Sequence, residues 1–422
     1  MPKNQPERFQ VTIESMAQGG QALGKLGREH AFLPYAIPGE RVEAQVLRRD
    51  KGVVFAQGVK LLEASADRVL PRCDHFGMGR CWACQWQHMA YSAQALLKQD
   101  LLIDALSRLG KFDDATLERA FRPAFIAAPQ AWQYAQIGTL YPLSAVPDAP
   151  VRWGLRRMDG GLEPIDACPL MTDAWHALYD SLDIQWDVKA LTLAVDSTGA
   201  HFITLHLKDE ELPELLADLP MSVNALSNDN EPLNLVGDSA MRWEVGERWF
   251  QATAGCAMRA NLAQVDALVA AVLRTAKLDG RQRVLELYSG VGIFSAFMAA
   301  RCQHIDCVDS YPPAINDAHH NLAEVPNVTL HEASASDFLS GLTQSYDLMV
   351  LDPPASGIDD QSLQALAQQG APRLVLISAN PTSLARDCAS LARAGYRLQS
   401  VQGIDFAPQT AYVEAVCLLE RR

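Results

Sequence analysis

The stretch VLELYSGVG at Val284–Gly292 constrains what this chain can fold into more than any other segment. Its first four residues are mostly apolar, and a short apolar run that stops at a glycine turn is typical of a buried parallel strand. Gly290 and Gly292 let the backbone pass close to a ligand, because neither residue has a Cβ. Ile293–Arg301 predicts a helix whose free N–H groups face that ligand. The segment therefore predicts a cradle for a nucleotide or a cofactor.

Two carboxylates follow at the ends of further predicted strands. Asp309 ends the next strand, where an acid suits a ribose diol, and Tyr346–Asp352 is a buried strand that runs into Asp352-Pro353-Pro354. The third glycine of G-x-G-x-x-G and the GK[ST] of a P-loop are missing. From about residue 246 strands and helices alternate, which predicts a doubly wound α/β domain. An unliganded domain of this type is the alternative.

Length and composition indicate a globular protein of several domains. A chain of 422 residues is too long for one core, so we expect two or three domains. Hydrophobic residues make up 49% and charged residues 20%, which excludes general disorder. The apolar runs are too short to span a membrane, and the polar start is no signal peptide. We expect a soluble, cytoplasmic protein without a membrane partner, and favour a monomer.

Charge is distributed unevenly along the chain. The net charge is −14, which is unusual for a nucleic-acid binder. Residues 1–60 nevertheless carry nine Lys or Arg and six Asp or Glu, which gives +3, and this part could meet phosphate locally. Residues 181–247 carry three Lys or Arg and thirteen Asp or Glu, which gives −10. This acidic region indicates a protein partner or, as is more common, a solvated face.

The chain divides into three predicted domains. Residues 1–65 alternate short strands with glycine turns, which predicts a small β-barrel, a common nucleic-acid-binding module. Residues 66–245 predict a central, mainly β domain of α+β type, and residues 246–422 form the doubly wound domain. The amphipathic helix predicted at 92–111 belongs to the central segment, and we expect that it packs on the C-terminal domain.

Three cysteines lie close together in the central segment. Cys73, Cys81 and Cys84 have the spacing C-x7-C-x2-C, and thiolates so near one another suit a soft metal or an iron–sulfur cluster. Cys168, which precedes a proline, is the best candidate for the fourth ligand. Zinc with His75 or His88 as a ligand and a set of free core thiols are the alternatives. Core filling is expected for the remaining cysteines, Cys256, Cys302, Cys307, Cys388 and Cys417.

The order of these features resembles the RNA (uracil-5-)methyltransferase family over essentially the whole chain. The resemblance rests on the barrel, the cysteine cluster followed by Gln85-Trp86-Gln87-His88, Cys168-Pro169, Phe250-Gln251, the Tyr288–Gly292 turn, Asp352-Pro353-Pro354, Asn380-Pro381 and Glu414. It implies a TRAM-like RNA-binding barrel, a [4Fe-4S] cluster and a class I, Rossmann-like domain that uses S-adenosylmethionine. The implied partner is RNA, either rRNA or tRNA. The usual family spacing, C-x5-C-x2-C, has a shorter first loop than this chain.

The resemblance also implies which residues contact the cofactor. Asp309 matches a position that takes the ribose hydroxyls, and Asp352 one near the methionine or the reacting centre. Ser334 stands where an adenine-contacting acid or amide is common. The matched cofactor positions are Gln251, Tyr288, Gly290, Gly292, Asp309, Ser334 and Asp352.

The sequence departs from the family at the reacting centre. In the family a cysteine thiolate adds to C6 of uracil, C5 takes the methyl group, and a glutamate removes the C5 proton. Glu414 matches that base, but the turn reads Ser378-Ala379-Asn380-Pro381, so Ala379 stands at the nucleophile position without a thiol. Ala355 stands where the family has an arginine after D-P-P. Cys388 is too far along the next helix to replace the thiol and is expected in the core.

Three functions are therefore open. The first is an S-adenosylmethionine-dependent RNA methyltransferase that uses another mechanism or another target atom. The second is a catalytically inactive relative that binds RNA or a protein. The third is a methyltransferase of a small molecule or a protein, in which a TRAM-like barrel has no evident role.

Overall fold

The computed structural model describes residues 7–143, 151–182, 187–209, 212 and 221–421. The described chain has a mixed α/β architecture, as predicted, with a five-stranded closed barrel, two seven-stranded sheets and a two-stranded hairpin. Among the described helices, none is long and apolar enough to cross a membrane. Part of the acidic segment 181–247 lies outside the described residues.

The N-terminal strands close into the predicted small barrel. Its order is β1-β2-β3-β5-β4, and β3 pairs with β5 in parallel while the other neighbours are antiparallel. Inward residues such as Val11, Ile13 and Val42 alternate with exposed ones, which is the period of half-buried strands. The strands are β1 (Arg8–Met16), β2 (Ala22–Leu26), β3 (Glu29–Leu33), β4 (Arg41–Asp50) and β5 (Val53–Glu63).

Two helices follow the cysteine-rich segment, and both pack on the C-terminal part of the chain. They are α1 (Tyr91–Arg108) and α2 (Asp114–Ala120). Leu102 and Leu106 on the buried face of α1 lie in one hydrophobic core with Leu384. The helix predicted at 92–111 is therefore part of the C-terminal core.

A mainly antiparallel sheet forms the middle of the molecule. Its order is β12-β11-β10-β9-β6-β7-β8, and only β10 and β11 pair in parallel within the described ranges. Helix α3 packs on β9, with Trp175 completely buried. The elements are β6 (Ile137–Pro142), β7 (Trp153–Arg156), β8 (Leu162–Pro164), α3 (Asp173–Asp180), β9 (Val188–Val195), β10 (His201–Leu207), β11 (Ser222–Leu226) and β12 (Pro232–Val236).

A hairpin connects this sheet to the C-terminal domain. Strands β13 (Ala240–Val245) and β14 (Arg248–Thr253) pair along their whole length. The domain boundary predicted at residue 246 falls in the turn of this hairpin. The two strands form one structural unit, because separating them would break every hydrogen bond of the pair.

The C-terminal sheet has the order β17-β16-β15-β18-β19-β21-β20, with β21 antiparallel to both of its neighbours. Strands β15–β19 are parallel. The elements are α4 (Val265–Ala276), β15 (Arg283–Leu287), α5 (Ile293–Met298), β16 (His304–Asp309), α6 (Pro312–Asn321), β17 (Val328–Glu332), α7 (Ala335–Ser340), β18 (Leu348–Leu351), α8 (Asp360–Gln369), β19 (Arg373–Ser378), α9 (Pro381–Arg393), β20 (Arg397–Ile404) and β21 (Glu414–Glu420).

Helices cover both faces of this sheet, so successive strand residues are buried on opposite sides. Leu285 and Leu287 pack with α7, α8 and α9, whereas Val284 packs with α4 and α5. The carboxyl ends of the parallel strands meet at one edge, and the antiparallel β21 begins at that same edge. This edge gathers the residues described below.

Candidate functional site

The glycine turn after β15 has the open geometry that its sequence predicts. Tyr288, Gly290 and Gly292 all have positive φ values, of 60°, 54° and 85°. No atom lies within 4 Å of where a Cβ on Gly290 would stand, whereas a Cβ on Gly292 would meet Leu322 at 2.7 Å. Gly290 therefore leaves room for a ligand, and Gly292 allows α5 and α6 to pack closely.

A buried carboxyl group lies beside this turn. Glu286 is 1% exposed, and one of its oxygens accepts a hydrogen bond from the Ser295 hydroxyl. Its Oε1 atom has no partner among the described residues, and the buried Ser289 hydroxyl has none either. Burial raises the pKa of Glu286 to about 8, and the charges of Asp352 and Asp309 add to this effect. Unpaired buried polar atoms next to an open turn fit a polar ligand that completes their hydrogen bonds.

Asp309 stands at the end of β16, directly at the turn. Its Oδ2 accepts a hydrogen bond of 2.8 Å from the Gly290 N–H, and its Oδ1 accepts one of 2.9 Å from the Tyr311 N–H. Ser334 lies near Asp309, because the N–H of the preceding residue, Ala333, donates a hydrogen bond to the Asp309 carbonyl. The Ser334 hydroxyl caps α7 by accepting from the Asp337 N–H at 3.0 Å.

Two other predicted cofactor residues are held by neighbouring helices. The Gln251 side chain donates to Asp317 of α6 at 2.7 Å. The Tyr288 hydroxyl lies 3.4 Å from Asp359, the residue that caps α8. The structure thus places Gly290 and Asp309 in direct contact, while Gln251 and Tyr288 contact the surrounding helices.

Arg259 joins the two carboxylates predicted for the reacting centre. Its Nε donates to both oxygens of Glu414 at 2.9 and 3.2 Å, and its Nη2 donates to both oxygens of Asp352 at 3.0 and 3.1 Å. Asp352 follows β18, and Glu414 begins β21. Burial disfavours the charged guanidinium, but the two carboxylates outweigh it and raise the pKa of Arg259.

Ala379 lies at the same edge, exposed to solvent. The strand pair Ser378–Ala415 is the last one between β19 and β21, so Ala379 follows the end of β19 at the edge where Glu414 begins β21. The next residue, Asn380, accepts a hydrogen bond of 2.6 Å from the Gln18 side chain of the barrel. The turn that carries Ala379 is therefore in direct contact with the N-terminal barrel.

Two other cysteines near the C-terminal sheet, Cys388 and Cys256, are poorly suited to replace the missing thiol. Cys388 is completely buried in α9, where it contacts Cys417, and this contact together with burial raises its pKa. It is a core residue, as the sequence predicts. Cys256 packs in one cluster with Val291 of the glycine turn, but burial and the adjacent Asp317 raise its pKa. A thiol with a raised pKa supplies little of the nucleophilic thiolate.

Cys73, Cys81, Cys84 and Cys168 line one small cavity, although they come from separate segments. In the described part of the chain no three His, Cys, Asp or Glu residues lie close enough to hold a metal ion. His75 pairs instead with Glu163 at 3.3 Å, and His88 is buried with its Nε2 3.4 Å from the Ala36 carbonyl. The contacts of these histidines do not support the alternative of a zinc site.

The segment after the cysteines holds the loop that leads to Glu414. The Trp86 N–H donates to the Gln409 carbonyl at 2.9 Å, and Gln85 accepts from the Ala411 N–H at 3.1 Å. Gln94 exchanges hydrogen bonds of 2.9 and 2.8 Å with the side chain and backbone of Gln409. The residues that directly follow Cys84 in the sequence thus hold this loop in place.

Comparison with known proteins defines the class. Residues 244–422 match the model of the family described as tRNA (Uracil-5-)-methyltransferase. An uncharacterized RNA methyltransferase of Streptomyces coelicolor is 30% identical, and the alignment covers 98% of this chain and 93% of that protein. An uncharacterized RNA methyltransferase of Halalkalibacterium halodurans is 28% identical, with 99% and 98% covered.

The chain belongs to this family of RNA methyltransferases. Among solved structures, the Pyrococcus abyssi tRNA (uracil-54, C5)-methyltransferase in complex with S-adenosyl-L-homocysteine superimposes with a TM-score of 0.72. The superposition covers 97% of this chain and 100% of that one at 20% sequence identity, which shows a common fold.

Sequence reasoning missed Arg259. It follows no recognisable motif, and its partners lie 93 and 155 residues further along the chain. Glu286 was part of the strand motif, but only the structure shows that one of its oxygens has no protein partner. The absence of an arginine after Asp352-Pro353-Pro354 is the sequence signal that could have directed attention to a cation elsewhere in the chain.

Replacing Gly290 by alanine tests whether the open turn binds S-adenosylmethionine. The new methyl group enters the free space, so we expect binding at least about tenfold weaker by calorimetry, a loss of about 1.4 kcal/mol. Gly280→Ala is the matched control, because Gly280 also has a positive φ and no atom within 4 Å of its Cβ position. Both variants lose about 1–2 kcal/mol of stability to backbone strain. Equal cofactor affinity of Gly290→Ala and wild type would exclude this site.

Proposed function

We propose that this protein is an S-adenosylmethionine-dependent methyltransferase of RNA, from rRNA or tRNA, that does not form the thiolate adduct of its family. One observation carries the proposal. The edge of the sheet has an open glycine turn with Asp309 beside it, while the turn after β19 carries Ala379 at the position that the family resemblance assigns to the nucleophilic thiol.

The residues at this edge fit the cofactor. Asp309 is oriented by two backbone N–H groups and has lone pairs left for ribose hydroxyls. Glu286 and Ser289 supply buried polar atoms for the polar end of the ligand. Asp352 lies between the turn and Glu414. When bound, S-adenosylmethionine supplies an electrophilic methyl group. The protein residues hold it, exclude water and take up the proton that leaves the target.

Glu414 is the candidate base. Burial raises the pKa of its carboxyl group, Arg259 lowers it, and Asp352 raises it again, with a net increase. A carboxylate with a raised pKa is a better proton acceptor than a free one. Without a thiol at Ala379, C5 of uracil is not activated by addition at C6. The target is therefore an RNA atom that becomes nucleophilic on loss of a proton alone.

We propose further that the N-terminal barrel is a TRAM-like RNA-binding domain. The support is its closed five-stranded form and the contact of Gln18 with Asn380, which brings the barrel to the reacting edge. An RNA bound on the barrel is then adjacent to the site. We propose the domain limits 1–65, 66–245 and 246–422, with the β13–β14 hairpin shared at the second boundary.

A second candidate is a catalytically inactive member that binds RNA or a protein. The Arg259 contacts favour it, because both carboxylates are already occupied by a protein cation.

Incubation with tritiated S-adenosylmethionine and bulk undermethylated RNA separates the two candidate functions. We expect label in the RNA and no 5-methyluridine among its digested nucleosides. Absence of label with calorimetric cofactor binding intact would favour the second candidate, and 5-methyluridine would contradict the proposed chemistry. Formation of 5-methyluridine by Ala379→Cys would identify the missing thiol as the cause.

We also propose that Cys73, Cys81, Cys84 and Cys168 hold a [4Fe-4S] cluster. Their convergence on one cavity supports it, and thiolates are the ligands of such clusters. A cluster places irons and sulfides between its ligands, so its cysteines stand farther apart than around a single ion.

Anaerobic purification tests the cluster. We expect a broad visible absorption band and bound iron in wild type, and loss of both in Cys84→Ser. Cys302→Ser is the control, because Cys302 is buried to the same extent, 7% against 6% exposed, outside the cavity. A colourless wild-type protein that contains zinc or no metal would contradict the cluster.

A further inference from the structure

Arg259 forms contacts that an ordinary surface ion pair does not have. A single guanidinium bridges two carboxylates, one directly after β18 and one at the start of β21, and the three side chains are 25%, 20% and 11% exposed for Arg259, Asp352 and Glu414. All four carboxylate oxygens lie within 3.2 Å of its nitrogen atoms. Such two-sided pairing uses the planar fork of arginine, which lysine lacks.

The loop that carries Arg259 is itself fixed. Asn261 donates to the Phe406 carbonyl at 3.1 Å, and Gln264 donates to the Asp405 carbonyl at 2.7 Å. Both of these side chains are 2% exposed. The guanidinium carbon lies 5.4 Å from the centre of the Phe406 ring. Arg259 is thus anchored to the segment that leads into Glu414, so its position is set before any ligand binds.

The charge balance at the site depends on this residue. Asp352 and Glu414 are two acids that share one site, and like charges so close together disfavour each other's charged form unless a cation offsets them. The charged groups that act on Glu414 are Arg259 and Asp352. The neighbouring strands contribute uncharged residues opposite it, since β20 pairs Ile404 with Glu414 and β19 ends at Ser378.

We propose that Arg259 is a positioning residue that holds the Glu414 and Asp352 carboxyl groups side by side and offsets the repulsion between them. The inference deepens the proposed function and rests on it for the role of Glu414 as a base. Asp352-Pro353-Pro354 is followed by Ala355, so this chain supplies the cation from the loop after β14 instead. Arg259 thereby fixes where the Glu414 carboxylate lies and holds the Asp352 carboxylate beside it.

The pH dependence of thermal unfolding tests the proposal without any ligand. The pKa of Glu414 is raised in the folded protein, so its ionisation opposes folding as the pH rises through that value. Arg259 offsets this cost. We expect Arg259→Gln to lower Tm, with a loss about twofold larger at about pH 8 than at about pH 5. Arg259→Lys keeps the charge and should restore most of the pH profile while recovering only part of Tm.

The matched control is Arg373→Gln. Arg373 is 23% exposed, pairs with Glu420 and lies at the opposite end of β19. The decrease in Tm caused by Arg373→Gln should be the same at about pH 8 as at about pH 5. Infrared spectra provide a second measurement. At neutral pH the Arg259→Gln variant should show a protonated-carboxyl band that the wild-type protein lacks. A second substitution in that variant, either Glu414→Gln or Asp352→Asn, should remove the band.

The outcomes distinguish this inference from the proposed function. A pH-independent loss of Tm in Arg259→Gln, with no additional carboxyl band, would overturn the positioning role. Failure of the wild-type protein to bind S-adenosylmethionine would overturn the proposed function but would leave these two measurements unaffected, since neither uses the cofactor.

Discussion

A buried ion pair between Lys98 and Asp405 joins helix α1 to the loop after β20. Both side chains are completely buried, and the Lys98 Nζ lies 2.6 Å from Asp405 Oδ1 and 2.8 Å from the Ala407 carbonyl. Burial lowers the pKa of Lys98, and Asp405 opposes that shift. An unpaired charge in such a place costs several kcal/mol, so helix α1 and the loop after β20 are constrained to remain in contact.

The loop fixed in this way ends in Glu414, and each part of the protein contributes to its position. Lys98 and Gln94 hold it from α1, and Trp86 holds it from the cysteine-rich segment. Arg259 then pairs with Glu414 itself. The site is therefore built by convergence of distant segments on one loop, and the C-terminal sheet alone does not provide it.

This convergence explains which features could be predicted from the sequence. The buried strands, the glycine turn at Gly290 and the acid at Asp309 are local patterns, because strand period and backbone freedom depend on neighbouring residues. The packing of helix 92–111 followed from its apolar stripe. The Lys98–Asp405 pair joins residues 307 apart, and such a contact leaves no periodic trace in either segment. The Arg259 bridge was missed for the same reason. The hairpin at residue 246 was missed because the sequence of a tight turn resembles that of a linker between domains.

We propose that this chain retains a cofactor site without the covalent chemistry of the family. The most direct measurement uses rRNA and tRNA transcripts that contain 5-fluorouridine, together with S-adenosylmethionine. A protein that adds a thiolate to C6 and methylates C5 is trapped, because the fluorine cannot leave as a proton does. Mass spectrometry under denaturing conditions should show the wild-type chain without RNA, because Ala379 cannot form the bond. A covalent protein–RNA species with the wild-type chain would contradict the account.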